Sequence, residues 1–358
     1  MEETEPTIFD AIVTFPSVTD PEIKSNLESF LLTQMRNKPL HFIPEIILLL
    51  LNDEISSQYP LHLLVYFSKS ISTQWRPIGF FLKNWTPMIF SIHQTIENDP
   101  TPKEESLLKT VHKIHMKMIS FLDNDKESIR ENAALAISRI ANIEVRLGLW
   151  DSFLPDLFST IKNITNSLNL LDGSLRILLN LLRMKFIWKD MPHYDIVLSN
   201  LYETIKIYLN DSRTPLPLRT QCFRLNNKVL YMFDPFFESK DELFGFMNML
   251  MLNFKEIKDS QVHKLVYKLL KKSLARYFVK LDEVMPVLFQ LTFSDLMQED
   301  TDKQIQSLEF FINISLNEID FDHHSSIHNM AATVVPVLLQ HLITSQDVTK
   351  NKSLIEKT

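Results

Sequence analysis

The residues best suited to chemistry sit near the end of the chain. His323, His324 and His328, with Asp320 and Asp322, bring three imidazoles and two carboxylates into one short stretch. Such groups are ordinary zinc ligands and ordinary general bases. Their arrangement speaks against both roles, because metal motifs set their ligands at one-face helical spacing and two of these histidines are adjacent in a polar loop. The single cysteine, Cys222, excludes an intrachain disulfide and a cysteine-based zinc site, and reads as a small buried apolar residue on a helix. Glycine occurs only at 79, 148, 173 and 245, which argues against phosphate-cradling loops and Rossmann turns. No catalytic residue, metal or cofactor is expected, and the chain is not read as an enzyme.

The organising element is a helical hairpin within 127–157. Ile129, Ala133, Ala136, Ile137 and Ile140 recur at steps of three and four, which places them on one helical stripe. Ala133, Ala134 and Ala136 let a neighbouring helix come close, Arg130 and Glu131 stay polar at the entry, and Asn124 or Asp125 is placed to cap it. The helix stops in a turn at Gly148, and a second amphipathic run follows with Trp150, Phe153, Leu154, Leu157 and Phe158 inward. Such a hairpin cannot bury its own apolar faces and must stack on others.

An apolar residue followed by a long polar one marks comparable positions downstream. The pairs Ile129-Arg130, Leu175-Arg176, Leu218-Arg219, Val262-His263 and Ile305-Gln306 are separated by 46, 43, 44 and 43 residues. A period in the low-to-mid forties with two helices per unit predicts an all-α HEAT-repeat solenoid, a right-handed superhelix of about eight hairpins. It is read as a single domain over 1–345 followed by a polar tail, 346–358. The Glu127 helix is expected on the concave side and the Trp150 helix on the convex side. Segments 78–96 and 107–122 depart from the period and read as one long outer helix interrupted at 98–102. Further helices are expected at 151–164, 174–188, 194–209, 215–233, 238–254, 259–278, 282–297, 302–317 and 327–344.

Charge is unevenly spread. The net charge of -7 disfavours a nucleic-acid binder. Residues 1–30 hold seven acids and one base, Lys24, whereas Arg219, Arg224, Lys228, Lys264, Lys268, Lys271, Lys272 and Arg276 crowd later inner helices. These are either solvated heads on the polar side of buried helices or a basic inner groove for an acidic partner. The acidic N-terminus is no secretory signal, and Ile46 to Leu51 is too short an apolar run to span a bilayer, so a soluble chain in a reducing compartment is expected, without a membrane partner.

Two sets of residues resemble the importin-beta (karyopherin-beta) family. The first is Ile140, Ala141, Glu144, Trp150 and Leu154 to Leu157. The second, more extensive, comprises Tyr277, Glu283, Met285, Pro286, Leu288 and Phe289, then Ser307 to Phe311, Asn313 and Glu318, then Val335 to Leu339 with Gln346 and Asp347. The resemblance is clearest over 126–347 and weaker over about 20–73. It implies the N-terminal HEAT repeats of a nuclear transport receptor, found in cytoplasm and nucleus and at the pore of the nuclear envelope. It also implies a slot for the Phe-Gly repeats of nucleoporins, with Leu198, Ser199 and Tyr202 on one outer helix and Glu242, Phe246 and Met247 on the next. Interhelix packing is the competing reading of those residues.

The family's inner helices hold the GTPase Ran in its GTP form, and Glu28, Gln58 and Glu131 are the inner polar positions offered for it. The family's acidic loop after the eighth outer helix has no counterpart in the Lys-containing tail, so weakened Ran binding is expected. A cargo adaptor or cargo is implied only if the chain continues past 358. The alternative function is a HEAT-repeat scaffold for an unrelated protein complex.

Overall fold

A computed structural model of the chain describes residues 6–74, 78–184, 194–298, 300–320 and 332–337. His323, His324, His328, Asp322 and the tail 346–358 lie outside them, as does most of the helix expected at 327–344, of which 332–337 is helical. Among the described residues every regular element is helical. The chain divides into two compact units, Met1–Tyr194 and Asp195–Thr358.

In the first unit, α1 (Ile8–Thr14) and α2 (Pro21–Asn37) are followed by α3 (Pro39–Leu51), the short α4 (Asp53–Gln58) and α5 (Pro60–Gln74). Then come α6 (Ile78–Glu97), α7 (Glu104–Ser120), α8 (Glu127–Glu144), α9 (Phe153–Lys162) and α10 (Leu168–Arg183). The starts follow local chemistry. Asp20 accepts hydrogen bonds from the amides of Glu22 and Ile23, at 2.8 and 3.3 Å, just ahead of Pro21, whose missing amide costs nothing there. Helices α2, α5, α8 and α10 pack successively to form a row, and α3, α7 and α9 each pack against members of it.

The alanine stripe performs as its composition implies. Ala133, Ala134 and Ala136 have no exposed surface, lying on the helix that packs against both α5 and α10. On the same helix Ser138 donates to the carbonyl of Ile177 at 3.2 Å, a bond from α8 to α10 that needs close backbones. Gly173 in α10 sits against Leu122 so closely that an added Cβ would lie 2.9 Å from the Leu122 Cβ. Gly148 does close the turn after α8, at φ +67°.

Four expectations need correction. The segments 78–96 and 107–122 are two helices that pack on each other, not one interrupted helix. Asn98 adopts φ 52°, Asp99 accepts from the Thr101 amide at 2.9 Å, and Pro100 and Pro102 lack amides, so the chain folds back between α6 and α7. With α4 also interposed and 332–337 helical, the described residues hold 17 helices, one more than eight plain hairpins supply. Neither Asn124 nor Asp125 caps α8, whose N-cap is Lys126 without a side-chain bond; instead Arg130 reaches back to the carbonyls of Asn124 and Asp125 at 2.9 and 3.0 Å. Finally, α10 begins at Leu168, capped by Ser167, so Leu175-Arg176 lies well inside the helix.

The second unit repeats the scheme with α11 (Tyr194–Asn210), α12 (Leu216–Val229), α13 (Lys240–Glu256), α14 (Ser260–Tyr277), α15 (Met285–Leu296) and α16 (Thr301–Asp320). Helices α12, α14 and α16 form its row. The expected 215–233 and 282–297 helices each include a tighter turn, at Leu230–Phe233 and Asp282–Val284. Bonds between successive hairpins reproduce the period: Asn253 to Leu209 spans 44 residues, Lys272 to Asn227 spans 45, and Tyr277 to Asp234 spans 43.

Candidate functional site

The residues offered for a Phe-Gly slot lie on α11 and α13, and side chains tie these two helices together at both ends. At one end the Tyr202 hydroxyl donates to Glu242 Oε2 at 3.0 Å. At the other the Asn253 amide donates to the Leu209 carbonyl at 2.6 Å. Burial raises the Tyr202 phenol above its ordinary range and the Glu242 carboxylate adds to the shift, so the phenol stays a donor at every physiological pH. Lys206 stands 5.1 Å over the Tyr202 ring and 3.6 Å from Glu242, completing a polar clasp.

Beneath the clasp is an aromatic cluster. Tyr202 stacks on Phe236 with centroids 4.7 Å apart and meets Phe233 edge-on at 5.0 Å; Phe237 in turn touches Phe246 at 4.9 Å and Tyr277 at 5.3 Å. Leu198, Tyr202, Phe246 and Met247 are all buried, Glu242 is half-exposed and Ser199 is exposed. The structure thus brings Tyr202 and Glu242 into contact, links Phe246 to them through Phe237, and leaves Ser199 at the rim. Sequence reasoning missed Phe233, Phe236 and Phe237. Their signal was present in the aromatic-rich turn around Asp234-Pro235, which sends three rings back toward α11.

The Ran positions are all in the first unit and are separate from one another. Glu28 on α2 lies 3.8 Å from Lys69 of α5, Glu131 is exposed on α8, and Gln58 is exposed at the end of α4. They share no hydrogen bond or ion pair with one another.

The apolar-polar pairs that set the period also have a structural role. Arg130 and Arg176 both donate to Asp172, at 3.1 and 2.8 Å, and Arg219 reaches Asn253 and Glu256 at 3.3 and 3.4 Å. His263 lies 3.4 Å from Asp295, which also accepts from the Tyr267 hydroxyl at 2.9 Å. Burial pushes the His263 imidazole down to about 4, with Lys303 adding to the shift, so at neutral pH the imidazole is uncharged and the contact is not an ion pair; burial also raises the Asp295 carboxyl. His115 and Glu144 form a second buried contact at 2.8 Å, with Trp150 stacked on the imidazole at 3.7 Å. Cys222 is fully buried, and burial raises its thiol. Among the described residues no three His, Cys, Asp or Glu side chains gather as a metal set, and no helix is long and apolar enough to cross a membrane.

No family model and no curated protein matches the sequence. Solved structures do match. Yeast importin-beta (Kap95p) superposes with a TM-score of 0.67 at 15% identity, over 95% of this chain and 39% of that one. The fold is that of importin-beta. Kap95 in complex with Nup1 gives 0.66 at 16% identity over 95% and 39%, and Kap95p bound to RanGDP gives 0.64 at 16% over 95% and 38%. The chain therefore spans about two fifths of the importin-beta chains that it matches, and it shares their solenoid architecture of stacked helical hairpins.

Proposed function

We propose that this chain works in nuclear protein import, as an importin-beta-like receptor region that binds Phe-Gly nucleoporins and the GTP form of Ran and moves between cytoplasm and nucleus through the pore. The observation that carries the reading is the importin-beta fold over 95% of the chain, shared with structures in which Kap95 is bound to Nup1 and to Ran. Binding rather than catalysis is the activity assigned.

The slot reading places the phenylalanine of a Phe-Gly repeat between α11 and α13, entering beside Ser199 and Glu242. Tyr202, Phe246 and Met247 are packed against protein, so an incoming ring must part the Tyr202-Glu242 bond and displace part of that packing. Releasing one hydrogen bond to a carboxylate costs roughly 1.5–3 kcal/mol, which offsets much of what a buried ring contributes. Each contact is then weak and reversible, and useful affinity comes from many repeats on one chain.

The test is a titration of the full chain with a multivalent Phe-Gly peptide. Tyr202→Phe, which removes only the hydroxyl, is expected to tighten binding several-fold. Phe246→Ala is expected to weaken it while far-UV circular dichroism stays unchanged. Binding indifferent to both would return these residues to a packing role.

A further inference from the structure

Two neighbouring helices of the second unit, α12 and α14, carry basic residues and no acidic ones. Helix α12 has Arg219, Arg224 and Lys228, and α14 has Lys264, Lys268, Lys271, Lys272 and Arg276. Acids on surrounding elements neutralise half of these cations. Arg219 meets Glu256 at 3.4 Å, Lys264 meets Asp302 at 2.9 Å, Lys271 meets Glu309 at 2.8 Å, and Arg276 Nε donates to Asp234 at 2.7 Å.

Arg224, Lys228, Lys268 and Lys272 have no carboxylate partner among the described residues. Arg224 reaches only the Gln221 side chain, at 3.4 Å, and Lys272 only the Asn227 carbonyl, at 2.5 Å. Burial lowers the Lys272 ammonium first, and repulsion from Lys268 and Lys228 lowers it further. An anion placed among them would relieve that repulsion. Beside them opens a groove of about 1010 Å³, whose lining includes Lys228, Lys272, Arg276 and Lys280. Its wall carries Tyr231, 57% exposed in an otherwise well-buried aromatic neighbourhood.

We infer that this groove and the helix faces leading into it bind an extended acidic peptide segment of a partner protein, through Lys228 and Lys272 in the lining and Arg224 and Lys268 one turn away on the same helices, with Tyr231 receiving an apolar residue of the peptide. Helical geometry supplies the register. Arg224 and Lys228, and likewise Lys268 and Lys272, are four residues apart, hence about 6 Å along the helix, and alternate residues of an extended chain advance by about 6.6 Å. Acids at every second position can therefore meet successive cations on one helix face.

A polynucleotide fits less well. Tyr231 offers one exposed ring where strand binding uses a series of them. The sequence pI of about 5.9 is also far from that of a nucleic-acid-binding domain. The groove shares Phe237 and Tyr277 with the aromatic cluster beneath the α11–α13 slot, but its cations lie on α12 and α14, and its test does not depend on transport.

The experiment titrates the full chain with a fluorescent peptide that alternates glutamate with neutral residues around one leucine, at about 0.15 M salt, where surface charge is not exaggerated. The double variant Lys268→Glu/Lys272→Glu is expected to lose tenfold or more in Kd, and Lys228→Glu several-fold. Lys240→Glu, on α13, should bind like the wild type. The milder Lys268→Gln/Lys272→Gln should lose less than the double reversal while melting like the wild type, which separates lost binding from lost folding. Unchanged affinity in the charge-reversal variants would overturn the assignment. So would tighter binding of a single-stranded oligonucleotide than of the peptide at the same salt.

Discussion

Gly173 and His263 show what single positions contribute. An added methyl at Gly173 would press on the Leu122 Cβ at 2.9 Å and on its carbonyl oxygen at 3.0 Å, and the backbone oxygen cannot swing aside. Overpacking costs about 1–3 kcal/mol, while replacing a mid-helix glycine by alanine gains about 1 kcal/mol. Gly173→Ala is therefore expected to lower stability by about 1 kcal/mol, read as a lower urea midpoint; a raised midpoint would mean that α10 has slack to move. His263 is held neutral by burial, down to about 4 against an ordinary 6.5. Above pH 6.5 folded and unfolded chains both carry it unprotonated. As pH falls from 6.5 toward 4, only the unfolded chain takes up the proton, so stability is lost across that window, by at most about 3 kcal/mol. The raised carboxyl of Asp295 acts in the opposite sense, favouring the folded chain at low pH and losing that contribution as pH rises. Comparing urea midpoints at pH 7 and pH 4.5, His263→Leu should show a smaller acid-induced drop than the wild type. An equal drop would place the acid sensitivity elsewhere.

At the scale of elements, helices were legible and their side-chain ties were not. The three- and four-residue steps of Ile129, Ala133, Ile137 and Ile140 give α8, and Asp20-Pro21 gives the start of α2, because both signals are local. The fold-back between α6 and α7 was readable as a break but not as a reversal, since Asn98 at positive φ is a property of the backbone rather than of a motif. Asp172 is the shared acceptor of Arg130 and Arg176, yet nothing in its own neighbourhood announces partners 42 residues away. The candidate slot divides in the same way. Tyr202 and Glu242 could be placed on adjacent helices, but their hydrogen bond depends on the stack. Asn253 holds the far end of that pair of helices through Leu209, and also bonds the Met249 carbonyl at 2.9 Å. Asn253→Ala leaves the buried Leu209 carbonyl without this donor and is expected to cost about 1–3 kcal/mol. Thermal melting would measure it, and a loss below a few tenths would show that the tie is redundant.

For the molecule as a whole, the repeat period was the most legible feature, because stacking imposes one spacing on every bond between neighbouring hairpins. The two routes to partners now make opposite demands of charge. A receptor region of the kind proposed should bind Ran in its GTP form more tightly than in its GDP form. The basic α12 and α14 should repel a basic adaptor peptide and favour an acidic one. Titrating Ran in both nucleotide states and a basic adaptor peptide at near-physiological salt checks both. Equal affinity for the two Ran states, or none, would favour a scaffold role, and tight adaptor binding would contradict the charge argument.

One step in the first unit is longer than the rest. Arg139 of α8 donates to Ser68 of α5 across 71 residues, where the Asn253–Leu209 bond of the second unit spans 44, because α6 and α7 both lie between these adjacent helices of the row. Closing a longer loop costs entropy only as its logarithm, so stretching the step from 44 to 71 adds about 0.4 kcal/mol. A single fully buried residue on α6, such as Ile92, contributes roughly 1.5–3 kcal/mol. Thermodynamically, then, the extra helix is nearly free to hold within the stack, and chain-closure entropy sets little limit on such insertions so long as the inserted helix buries a few side chains of its own.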